Sequence, residues 1–247
     1  MTRLSAALLL ALGLVIAAPL PAPAQAQDLL DRLTSGLKKD KASEQPSEEE
    51  VGLGLKEALR VATNTVVGQL GREDGFNLDE VAHIRLPKRL RRAGKVLRKV
   101  GMGHLAEDLE LRLNRAAEVA TPRARAIFWN SIKQMTLRDV MDIYRGPDDA
   151  ATQYFRRTMT PQLVEEMRPV IDGAMGEVGA IAAYDRFMGR YSEVPLVPDV
   201  KTDLTDYVMR KTLDGIFHYL AVEEAAIRRN PLKRTTDLLK KVFGALT

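Results

Sequence analysis

Cysteine is missing from all 247 residues of the chain. That excludes disulfides and a lipid anchor on a signal-adjacent cysteine, so the fold must be held by its core alone. Histidine is scarce too: His83, His104 and His218 are the whole supply and lie far apart. No HExxH, DxDxDG, GxSxG or Gly-rich phosphate loop occurs. Zinc, calcium, nucleotide and serine-hydrolase chemistry all lose their usual signatures, and no metal or cofactor is expected. A charge excess is also lacking. Lys and Arg number 37 against 33 Asp and Glu, and the formal +4 left over is not a nucleic-acid-binding balance.

Only one long apolar run is present, Ala6 to Ala18. It follows a single cation at Arg3, is stopped by Pro19, Pro21 and Pro23, and leads to Ala24-Gln25-Ala26. This is the three-zone pattern of a secretory signal, and the run is too short to cross a hydrocarbon core of roughly 30 Å. Residues 1–26 are therefore expected to be a cleavable leader, and the protein periplasmic or secreted, either free or peripheral to a membrane. No transmembrane segment is expected after cleavage. Leu29, Leu30, Leu33 and Leu37 then fall at helical spacing and a polar stretch reaches Pro46, so 27–46 reads as a short amphipathic segment and tether. Residues 47–247 form one expected domain.

Within that domain the punctuation is helical throughout. Ser47 with Glu50 makes a capping box before an apolar stripe, Leu53 to Leu70, that stops at Gly71. Pro87 opens a helix ending at Gly101, and His104 to Ala120 carries Leu105, Leu109, Leu113, Ala116 and Ala120 on one face. Thr121-Pro122 and Thr160-Pro161 both read as a cap followed by proline at the first helical position, so each is expected to start a new helix. Thr136 with Asp139 caps a short helix, and Asp148 and Asp149 are placed in the first turn of the next. Pro169, Gly173, Gly176 and Gly179 imply a kink or a break before Tyr191. Glu193 to Val200 reads as a loop, Asp203 to Arg229 as a long helix ended by Asn230-Pro231, and Leu238, Leu239, Val242 and Phe243 as the face of a last one. Gly71 to Leu86 alone resists helical reading and is expected to be a packed loop. The fold class is all-α, a compact irregular multi-helix bundle of about eight to ten helices.

Several strings resemble a known family: Gly54-Leu55-Lys56-Glu57-Ala58-Leu59, the run from Leu109 to Glu118, Asp148 to Arg156, Lys211 to Gly215, and Arg234 to Gly244. Together they look like the bacterial family called domain of unknown function 4197, over roughly residues 50 to 244. The resemblance implies an exported helical protein with no established activity, and it supplies no site residue.

Three constellations are candidates for chemistry. Arg85, Lys88, Arg89, Arg91, Arg92, Lys95, Arg98 and Lys99 fall in a stretch with no acidic residue between Glu80 and Glu107, while Leu86, Leu90, Ala93, Leu97 and Val100 step by four and three. An amphipathic helix with a basic outer face results, suited to an anionic lipid surface or an acidic envelope protein. The plain alternative is that these cations pair with acids elsewhere in the bundle. Second, Tyr207, Lys211, Asp214 and His218 share one side of a helix. Asp214 orienting His218 as a general base would suit a hydrolase, whereas Lys211 and Asp214 also make an ordinary surface pair. Third, Asn114 and Arg115 border an apolar stripe and are expected to satisfy buried backbone, and Trp129 beside Phe128 to be a core anchor. The function expected is an interaction module for an envelope protein or anionic membrane surface. The competing readings are a carrier of a lipid or small apolar molecule, and a hydrolase using Asp214 and His218.

Overall fold

The computed structural model describes residues 45–196 and 203–245. The leader, the Leu29–Leu37 segment and most of the tether lie outside the described residues, as does the second half of the loop after Glu193. Among the described residues eight α-helices follow one another: α1 (Glu48–Leu70), α2 (Lys88–Lys99), α3 (His104–Gln134), α4 (Leu137–Tyr144), α5 (Ala150–Glu177), α6 (Ala180–Ser192), α7 (Leu204–Arg229) and α8 (Asp237–Gly244), with a 3₁₀ turn at Pro231–Lys233. No strand occurs among the described residues, in agreement with the all-α reading.

The long helices α1, α3, α5 and α7 pack on one another. α2 and α6 lie against α3, and α4 and α8 against α1. At the centre Phe128 meets Phe155 and Phe217 edge to face, with ring centroids 6.5 and 5.9 Å apart, a favoured aromatic arrangement. Close approach elsewhere needs glycine. A Cβ on Gly54 of α1 would stand 2.6 Å from the Val242 side chain of α8, and one on Gly215 of α7 would stand 3.0 Å from Phe76.

Both expected capping boxes form. Ser47 Oγ accepts from the Glu50 N–H while Glu50 accepts from the Ser47 N–H, and Thr136 and Asp139 repeat the exchange. The two Thr-Pro breaks do not occur. α3 runs through Pro122, and α5 runs through Pro161 and Pro169. In both cases the threonine hydroxyl turns back along the helix: Thr121 donates to the Ala117 carbonyl at 2.7 Å, and Thr160 to the Arg156 carbonyl at 2.6 Å. Each bond occupies a carbonyl next to the one whose partner N–H proline removes. Burial continues across each site, at Ala120 and Ala124 and at Met159 and Leu163, so tertiary packing outweighs the local stop signal. The expected break does appear at Gly179, whose φ of 70° puts it in the left-handed region.

Three smaller readings are corrected. Trp129 is only half-buried, and Phe128 is the anchor. Neighbours on a helix point about 100° apart, so only one of the two can face the core. Asp148 and Asp149 precede α5 instead of lying in its first turn. Asp148 pairs with Arg229. Arg115 bonds carboxylates, not backbone: Glu118 at 2.7 Å, Asp74 at 2.9 Å and Glu73 at 3.3 Å.

Candidate functional site

The sequence from Gly71 to Pro87 forms no helix, yet it sets the position of α2. Its backbone is held by side chains spaced four apart on one face of α3. Glu118 Oε1 accepts from the N–H groups of Phe76 and Asn77, both at 3.1 Å. Asn114 exchanges two bonds with Ile84, accepting its N–H at 2.8 Å and donating to its carbonyl at 3.0 Å. Glu110 accepts the Leu86 N–H at 2.8 Å. Phe76, Ile84 and Leu86 are thereby driven into the core, all but inaccessible. Glu110, Asn114 and Glu118 thus form a ladder that supplies partners to backbone without secondary structure.

A turn inside the same loop is closed by Asp79. Its carboxylate accepts from Val81 and Ala82, at 2.9 and 2.6 Å, and from the Tyr219 hydroxyl of α7 at 2.6 Å. Burial pushes the Asp79 carboxyl up, but these donors outweigh it and leave it below its ordinary value. Burial and the facing Asp79 carboxylate push the Tyr219 hydroxyl up to about 12. A lowered carboxyl contributes stability that is complete above its unfolded value of 3.8 and is lost as pH falls through the lowered folded value. Urea unfolding should therefore show Asp79→Asn clearly less stable than the parent at pH 7, with the gap narrowing as pH falls below 3.8. A constant gap across that range would contradict this role.

With the loop held, α2 buries Leu90, Ala93, Gly94 and Leu97. At about 100° per residue, Lys88, Arg89, Arg91, Arg92, Lys95, Arg98 and Lys99 spread over the opposite half of the helix. All seven, and Arg85 just before them, are exposed. Among the described residues only Arg98 has a carboxylate partner, Glu107 at 3.6 Å. Apart from that contact, the alternative of pairing within the bundle is not met among the described residues, where nearby acids are engaged elsewhere. Glu110 holds Leu86 and faces His83 at 3.1 Å, and Asp108 holds Arg112 and Arg186. With +8 on residues 85–99 and +4 overall, the rest of the chain carries a formal −4. The near balance hides a strongly polarised surface.

The second constellation is only partly assembled. Tyr207, Lys211 and Asp214 line one open groove of about 460 Å³ with Arg156 and Phe217. Asp214 takes the Lys211 ammonium at 3.1 Å, and Tyr207 donates to the Arg85 carbonyl at 2.7 Å. The His218 ring packs edge to face on Tyr219, and no hydrogen bond joins it to Asp214. No group of three or more His, Asp or Glu that would hold a metal ion occurs among the described residues. No helix among them is long and apolar enough to cross a membrane.

Sequence reasoning missed the buried pair Glu224 and Arg228 on α7. Glu224 accepts from the N–H groups of Ala151 and Thr152 at the start of α5, at 2.9 and 3.0 Å. Arg228 donates to the Ile143 and Tyr144 carbonyls at the end of α4, at 2.8 and 3.2 Å. Burial pushes the Glu224 carboxyl up, although those donors and Arg228 oppose the shift. The only available signal was their spacing of four on an otherwise apolar face.

Residues 45–244 match the family model described as protein of unknown function (DUF4197), and the chain belongs to that family. No curated protein and no solved structure matches it.

Proposed function

We propose that this DUF4197 protein is an exported bundle that docks on an anionic membrane surface through the outer face of α2. The observation that carries the reading is the row of exposed cations without a carboxylate partner among the described residues, at Arg85, Lys88, Arg89, Arg91, Arg92, Lys95 and Lys99, on and just before a helix whose other side is locked in the core. A fixed, acid-poor face of this kind meets many lipid phosphates at once without first ordering itself. Each cation near an anionic leaflet contributes about 1 kcal/mol, so seven give substantial attraction that weakens as salt screens it. Export is supported by the three-zone leader at residues 1–26, and access to an envelope surface follows from it.

The test is co-sedimentation with vesicles of anionic phospholipid and of phosphatidylcholine. The protein should pellet with the anionic vesicles at low salt and be released at high salt. Reversing Arg89, Arg91 and Arg92 to glutamate removes three attractions and adds three repulsions, so affinity should fall by about a hundredfold or more. Absence of binding to anionic vesicles at low salt would overturn the membrane reading.

A further inference from the structure

A second feature is built from residues other than those of α2. At the seam of α1, the end of α3 and the start of α8 lies an open groove of about 580 Å³. Leu53, Ile132 and Leu238 give it apolar walls. Leu53 was expected in the core stripe of α1 but is 57% exposed here. Trp129 forms another wall, with the Arg60 guanidinium 5.0 Å from its ring centroid. The indole Nε1 is shut away from solvent and has no acceptor among the described residues.

The charges around the groove are unevenly used. Lys56 donates to the Met135 and Lys133 carbonyls at the end of α3, at 2.9 and 3.4 Å. Neither Arg60 nor Lys133 has a carboxylate partner among the described residues, and the single lining carboxylate, Glu57, pairs with neither. The lining is thus net positive around an apolar floor.

We infer that this groove binds a single-chain anionic amphiphile of the fatty-acid class, with the chain along Leu53, Ile132 and Leu238 and the carboxylate at Arg60. Charge complementarity selects an acid, and the apolar walls select a chain. The groove follows α1 only from Leu53 to Arg60, about 10 Å at 1.5 Å per residue, which is too short to seat a partner helix of ordinary length. Its volume is instead that of a small-molecule site. The site is independent of the α2 face, and each can fail without the other.

Trp129 is the sole tryptophan, so its emission reports on the groove directly. Calorimetry and fluorescence of the purified protein with laurate, below its micelle concentration, should give saturable one-to-one binding with a change in emission. Arg60→Ala and Leu53→Asp change exposed side chains and should keep the helical circular dichroism. Each should weaken binding about tenfold, as expected for loss of a charge-assisted bond or of apolar contact. Dodecanol should bind about tenfold more weakly than laurate for the same reason. The Arg89, Arg91 and Arg92 reversal should leave laurate binding unchanged while weakening vesicle binding about a hundredfold or more, which separates the two sites. Non-saturable binding, equal affinity in both groove variants, or dodecanol binding as tightly as laurate would overturn the inference.

Discussion

Replacing Glu224 by leucine should lower the unfolding free energy by about 3–5 kcal/mol, among the largest losses open to a single substitution here. The carboxylate is 5% exposed and lies beside an equally buried Arg228 guanidinium. Its removal strands that cation, and it also leaves the Ala151 and Thr152 N–H groups at the start of α5 without an acceptor. The pair is arranged to suit two helix dipoles at once: the anion meets the N-terminal end of α5, and the cation meets the C-terminal end of α4. For a domain of this size the loss corresponds to a fall in Tm of about 6–20 °C. Replacing both residues, Glu224→Leu with Arg228→Met, should restore part of the loss, because no charge is then left buried alone. Thermal unfolding followed by circular dichroism checks all three proteins. A single variant as stable as the parent would show that the pair does not hold α4, α5 and α7 together.

Asn114→Leu should have the next largest effect, about 2–4 kcal/mol, and a more local signature. Asn114 is fully buried and, among the described residues, is the only partner of both polar groups of Ile84. Leucine fills similar space but leaves a buried N–H and a buried carbonyl unpaired. Hydrogen exchange should show protection lost first in the segment from Phe76 to Leu86, with the amides of α5 and α7 changing less. Because that segment leads into α2, the variant should also weaken binding to anionic vesicles although no cation has changed. Unaltered protection at Ile84 would contradict the ladder. Asn114→Asp, which keeps the acceptor for the Ile84 N–H but loses the donor to its carbonyl, should fall between the two.

The basic face was legible in the sequence as far as composition allows. Its eight cations and the stepping of Leu86, Leu90, Ala93 and Leu97 place charge and core on opposite sides of one helix, and the structure agrees. Whether those cations were free was not legible. Their freedom depends on where Glu110 and Asp108 spend their oxygens, and those bonds span up to 78 residues along the chain. The groove at Trp129 was equally hidden. Leu53 reads as one more step of an apolar stripe, and nothing local says that its side of α1 is left uncovered between α3 and α8.

The family strings show the same division. Gly54 and Gly215 are recognisable within them, but their reason is a close approach to Val242 and to Phe76, distant in the chain. The helix ends divide likewise. Ser47 with Glu50 and Thr136 with Asp139 could be read directly, since a capping box closes within four residues and needs nothing from the rest of the molecule. Thr121-Pro122 and Thr160-Pro161 could not, since a threonine hydroxyl can bond forwards as a cap or backwards to a carbonyl. Burial on both sides of the proline makes that choice.

The sequence by itself determined the class of fold, most helix limits and the existence of a basic amphipathic helix, because each follows from interactions that close within one or two turns. Only the tertiary structure decided which prolines are passed through, which carboxylates are engaged, and which apolar and charged side chains remain uncovered. Those outcomes depend on competition among groups brought together by packing, and a one-dimensional pattern does not record who the competitors are.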